Sequence, residues 1–109
     1  MPAPVIELSA ADIQQRFNAG GYFERCMDDD DASVHLGDVV DVGPAPTKFE
    51  QGIRSQTVTY LDKWDRTIVI SHQHGHSDGT PAEGTRPDPK FLFEGGVRYK
   101  YNRRLDLLG

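Results

Sequence analysis

The chain has 109 residues, 37% of them apolar and 27% charged, with a formal net charge of −5. That balance excludes a disordered chain, and a chain of this length buries roughly two-thirds of its unfolded surface around one core. A single cysteine, Cys26, excludes an internal disulfide and a cysteine-built zinc site, and no apolar run is long enough to span a bilayer.

The N-terminal stretch from Met1 to Glu7 has neither a basic flank nor an apolar signal segment. We therefore expect one domain over residues 1–109 in the cytoplasm, or in a host cytoplasm or virion if the chain is phage-encoded. The charge is uneven. Residues 1–53 carry ten acids and three bases, whereas residues 54–109 carry nine bases and seven acids.

Ser9 stands where a helix N-cap belongs, with Asp12 three residues on. Leu8 and Ile13 have the spacing of a hydrophobic staple, and Ile13 and Phe17 share one helical face. Asn18-Ala19-Gly20-Gly21 should stop that helix after about ten residues. Tyr22 to Met27 is apolar enough to touch the core, without a clear period. Asp28, Asp29, Asp30 and Asp31 form a self-repelling run, read as a solvated loop. Val39, Val40 and Val42 predict a short strand bounded by glycine and proline.

From Arg54 onward the pattern is β. Thr57–Leu61 and Thr67–Ser71 predict an antiparallel hairpin, with residues 62–65 as the turn. Residues 75–89 hold three glycines and three prolines and read as a long loop. In the last hairpin, Lys90 to Tyr101, a two-residue Gly95-Gly96 loop would set Phe93 opposite Arg98 and Phe91 opposite Lys100. A three-residue loop, Glu94-Gly95-Gly96, gathers Phe91, Phe93, Val97, Tyr99 and Tyr101 on one apolar face, and that register is preferred. The expected fold is α+β: a short N-terminal helix followed by a curled antiparallel sheet or small open barrel of four to five strands.

The run Ser71-His72-Gln73-His74-Gly75-His76-Ser77-Asp78 is the one unusual motif. On a strand His72 and His74 point the same way, so they could ligate a zinc-like divalent transition metal, with His76 or Asp78 completing the site. The same imidazoles could act as acid and base in RNA cleavage, with a cationic clamp for phosphate. That clamp would come from Lys90, Arg98, Lys100, Arg103 and Arg104. The plainer interpretation is a polar strand end with no resident cofactor. The acidic run Asp28–Asp31 and Trp64, set in a predicted turn, are candidate contacts for a partner protein of basic surface. Serine-nucleophile, dinucleotide and phosphate-loop motifs are absent.

The leading expectation is a small acidic non-enzymatic binding module acting through protein–protein contacts, of inhibitor, immunity, phage-antagonist or virion-component type. The alternative is a small metal-dependent or acid–base hydrolase or ribonuclease built on His72, His74 and His76. Nucleic acid ranks below protein as partner because of the acidic balance, a homo-oligomer is compatible with the sequence, and no membrane partner is expected.

Overall fold

The computed structural model describes residues 3–28, 30–46, 49, 51–83 and 85–108, and of residue 108 only the backbone. In chain order the elements are β1 (Val5–Leu8), α1 (Ala10–Ala19), α2 (Tyr22–Met27), β2 (Val34–Pro44), β3 (Arg54–Asp62), β4 (Thr67–Gly75), β5 (Asp88–Glu94), β6 (Val97–Tyr101) and α3 (Arg103–Leu108). The six strands form one sheet in the order β1-β6-β5-β4-β3-β2. β1 runs parallel to β6 and all other neighbours are antiparallel, so the sheet is mixed. It is open: β1 and β2 are its two edges.

This overturns the expected fold. Among the described residues a strand precedes the helix, six strands replace four or five, three short helices are present, and the sheet does not curl into a barrel. β1 was missed because four residues beside two prolines carry little local signal; it is held by a partner more than ninety residues away, Val5 opposite Arg98. β2 runs over eleven residues although Gly37, Asp38, Asp41 and Gly43 are poor strand formers. Register shifts between Leu36 and Val39 and between Asp41 and Gly43 absorb these residues. There Thr59 Oγ1 accepts from the Asp38 amide at 2.8 Å, and the Asp41 carboxylate from the Gly43 amide at 2.9 Å. An edge bent and charged in this way is a poor template for a further strand.

One face of the sheet, here called inner, is covered. Helix α1 starts as expected, with Ser9 Oγ accepting from the Asp12 amide at 3.2 Å, and buries Ile13 and Phe17. These pack with Tyr22 of α2 on Val34, Val58, Tyr60, Ile68, Val69, Leu92 and Tyr99. The Phe17 ring lies 6.1 Å from Tyr22 and 6.0 Å from Tyr60. Full burial of a phenyl group contributes about 3 kcal/mol, which compensates for helices too short to persist alone. Glu94 ties both helices to the sheet. Its carboxylate accepts from the Tyr22 hydroxyl at 2.7 Å and from Arg16 at 3.0 Å. Burial, then Glu94, pushes the Tyr22 phenol well above its ordinary range.

The helices do not reach the far end of the inner face; the loop after β4 does. Buried Gln73 donates through Nε2 to the Gln56 side-chain oxygen at 3.1 Å and to the Gly79 carbonyl at 2.8 Å. Gln56 Nε2 donates to the His76 carbonyl at 2.7 Å. Gly79, at φ +91°, then presses on the sheet: a Cβ there would fall 2.7 Å from Leu36 and 2.8 Å from Val39. The long loop predicted over residues 75–89 is thus shorter and pinned. Gly75 belongs to β4, Asp88 and Pro89 to β5, and Ala82, Pro87 and Pro89 are buried. Pro89 sits at a register shift, where the ladder does not need its missing N–H.

Candidate functional site

The other, outer face carries no helix among the described residues, since α1 and α2 lie on the inner side with Phe17 and Tyr22. Its character is decided at the β5–β6 turn. Gly95 and Gly96 both take positive φ (59° and 78°), the demand of a two-residue turn whose twist matches the strands. Phe91 therefore pairs with Lys100, Leu92 with Tyr99 and Phe93 with Arg98. The preferred three-residue register is corrected by one residue. Grouping the most aromatics on one side favoured it, but turn geometry and the fully buried Leu92 outweigh that count. The consequence is chemical: Phe91 and Phe93 stand on the outer face, interleaved with Arg98 and Lys100.

Phe91, Phe93, Arg98, Thr67 and Arg66 line a shallow depression of about 240 Å³. Both phenyl groups are half-buried, and both cations are exposed. Among the described residues neither Arg98 nor Lys100 joins an ion pair, whereas Arg16, Arg25, Arg54, Arg66, Arg86 and Lys90 all do. Trp64 is next to Arg66 but lines a separate depression, with Tyr22, Arg25, Ser33 and Ile68. It is 64% exposed, with Lys63 Nζ 4.4 Å and Arg66 Cζ 4.7 Å from its ring centre. Its turn is built on Asp62, whose carboxylate accepts from the Trp64 and Arg66 amides and from Arg66 Nε at 2.9, 3.0 and 2.8 Å. Those bonds lower the Asp62 pKa despite the opposing effect of burial. An exposed tryptophan on a turn held this firmly loses little entropy when it meets a partner.

His72 and His74 share the same face on β4, one strand-width from β5. Their rings lie 5.5 Å apart, edge to face. Register places His72 between Thr57 and Asp88 and sets His74 opposite Ser55. Ser55 Oγ is 3.2 Å from His74 Nδ1, and the Phe49 ring is 4.7 Å from the His74 ring. Burial first, and then His74, lowers the His72 pKa below 6.5. His76 and Asp78 belong instead to the turn after β4. The His76 amide donates to the Thr80 carbonyl, and the Asp78 carboxylate accepts from the Thr80 amide and hydroxyl. Among the described residues no group of three or more His, Cys, Asp or Glu is arranged to hold a metal ion.

The remaining candidates are dispersed. Lys90 is turned to Asp88 at 2.9 Å and to the Tyr101 ring at 4.4 Å, while Arg103 and Arg104 open helix α3. The acidic run is partly consumed locally: Asp28 accepts from the Asp30 amide, and Asp31 binds the Ser33 amide and hydroxyl. Asp29 lies outside the described residues. Cys26 is half-buried against the core, and burial pushes its thiol up to about 11, away from nucleophilic use. Sequence reasoning missed Phe91 and Phe93 as surface aromatics, although the Gly95-Gly96 pair held the signal. Compared with known proteins, the chain matches no family model, no curated protein and no solved structure. No helix among the described residues is long and apolar enough to cross a membrane.

Proposed function

We propose that this chain is a non-enzymatic binding module that receives an anionic partner on the outer face of its sheet. The observation that carries this reading is the alternation of Phe91 and Phe93 with two cations, Arg98 and Lys100, that join no ion pair among the described residues, on the uncovered face. Unpaired cations beside apolar rings are poorly served by water on one side and gain both charge and contact from a partner. The net charge of −5 does not oppose it locally. Asp38 and Asp41 lie on β2, four strands from β6, and Glu7, which stands opposite Lys100 on β1, does not join it in an ion pair among the described residues. A basic protein docking on the acidic edge is the weaker form of the same reading, because Asp28, Asp31 and Asp41 already accept hydrogen bonds from their neighbours.

The test is retention on a polyanion resin at low salt. Wild-type protein is expected to be retained despite its overall charge, and the Arg98→Glu/Lys100→Glu variant to flow through. Retention unchanged by that reversal would contradict the reading. A second reading, acid–base cleavage, has one specific observation in its favour: His72 and His74 sit side by side on the same face. It predicts strand scission of RNA that disappears in His72→Ala/His74→Ala. Intact RNA after prolonged incubation with wild-type protein would end it.

A further inference from the structure

We infer that the partner on the outer face is a single-stranded polynucleotide. This rests on the docking reading above and names its ligand. Three features of the face converge. Phe91 and Phe93 are alternate residues of one strand, and their rings border one depression together with Arg98. Flat aromatic groups set along a strand are platforms for unpaired bases, which expose a π-face that duplex bases keep stacked inside. Arg98 and Lys100 are alternate residues of the neighbouring strand, about 6.8 Å apart along it, a step that an extended sugar–phosphate chain can follow. Each cation then lies beside one ring: Lys100 opposite Phe91 and Arg98 opposite Phe93.

An acidic polypeptide would satisfy the two cations and leave both rings without a planar partner. A duplex would meet the cations but present no base to the rings. Of these three, a purely acidic polypeptide, a duplex and a single strand, the single strand alone uses all four groups. Thr59 and Ile70 continue the row of Phe91 and Lys100 toward β2 and are uncovered by any helix among the described residues, so the strand has a path across the sheet. The acids beside that path are Asp38, whose amide donates to Thr59 Oγ1 at 2.8 Å, Asp88 and Glu7. Asp88 is held by Lys90, and Glu7, next to Lys100 on β1, accepts from the Asn102 side chain at 2.9 Å. Arg66 is committed to Asp62, which leaves two phosphate contacts. Affinity is therefore modest and its salt dependence shallow, with a slope of log affinity on log salt near −1.4, about 0.7 for each of two phosphates on a single strand.

The experiment is a titration of fluorescein-labelled oligouridylate and oligothymidylate, each about ten nucleotides long, the scale of a single-domain site. A duplex of the same length and poly-L-glutamate are run in parallel, with anisotropy as the readout. Both single strands are expected to bind with the shallow salt slope, the duplex and poly-L-glutamate much more weakly. Binding of the ribo strand alone, or the deoxy strand alone, would identify the source and support the inference equally. Phe91→Ala and Phe93→Ala are each expected to weaken binding roughly ten-fold or more. Arg98→Gln/Lys100→Gln, surface changes that leave the core untouched, should flatten the salt slope and carry the test if a phenyl variant fails to fold.

Absence of saturable single-strand binding, equal binding of the duplex, or folded phenyl variants that bind like wild type would overturn the inference. If poly-L-glutamate binds, and Arg98→Gln/Lys100→Gln abolishes that binding while the oligonucleotides stay free, the polynucleotide is wrong and the docking face stands. If no polyanion binds, both fall.

Discussion

The two faces of this sheet are built from similar residues and arrive at opposite states. On the inner face Phe17, Tyr22, Tyr60 and Tyr99 are buried, and Tyr22 finds its hydrogen bond in Glu94. The far end of that face is closed by a loop that two glutamines hold in place. On the outer face Phe91 and Phe93 have no such lid, and the cations beside them join no ion pair among the described residues. A residue type therefore says little here; what distinguishes structure from function is whether its neighbours have been satisfied.

The comparison is broken most forcefully by removing a phenyl group from each face. Phe17→Ala is expected to cost about 4 kcal/mol, the loss of a fully buried ring plus a cavity, whereas Phe91→Ala should cost no more than about 1 kcal/mol. Urea unfolding at neutral pH measures both. Equal costs would mean that the outer ring is structural after all. Next in size is Gly79→Ala. Its positive φ and the contacts of the missing Cβ with Leu36 and Val39 should lift the loop at a cost of about 2 kcal/mol. Amide exchange of residues 76–82 should accelerate with it, while the outer face keeps its ligand affinity.

The smallest effect is with pH. His72 has a lowered pKa in the folded chain, chiefly from burial and then from His74, so the unfolded state takes up its proton first as pH falls. Stability from this residue is therefore fully present above pH 6.5 and is lost as pH drops through the lowered folded value. Replacing it in His72→Gln should flatten that part of the melting-temperature profile between pH 7 and pH 5. An unchanged profile would assign the acid sensitivity elsewhere.

Much of the local structure was legible in the sequence. The Ser9 cap, the Ile13–Phe17 face, the glycine stop and the hairpin turn at residues 62–65 all follow from short-range rules, and all are present. What was not legible depends on distant partners. Val5–Leu8 becomes a strand only because β6 lies beside it, and Asp41 is tolerable in β2 because Arg54 meets its carboxylate at 2.7 Å. The candidate site was readable in part. The His72–His74 side-by-side placement follows from strand alternation, and Arg98 and Lys100 were marked by charge. Phe91 and Phe93 were assigned to the wrong face because a one-residue slip reverses every side chain. The Gly95-Gly96 pair, given more weight than the aromatic count, would have put them right.

On the proposed function, the outer face and not the acidic β2 edge meets the partner. Amide chemical-shift mapping of isotope-labelled protein during addition of oligouridylate tests it most directly. Shifts are expected to concentrate on β4, β5 and β6, with Val34–Pro44 unmoved. Shifts centred on β2 and the residues around Asp30, or none at saturating strand, would contradict it.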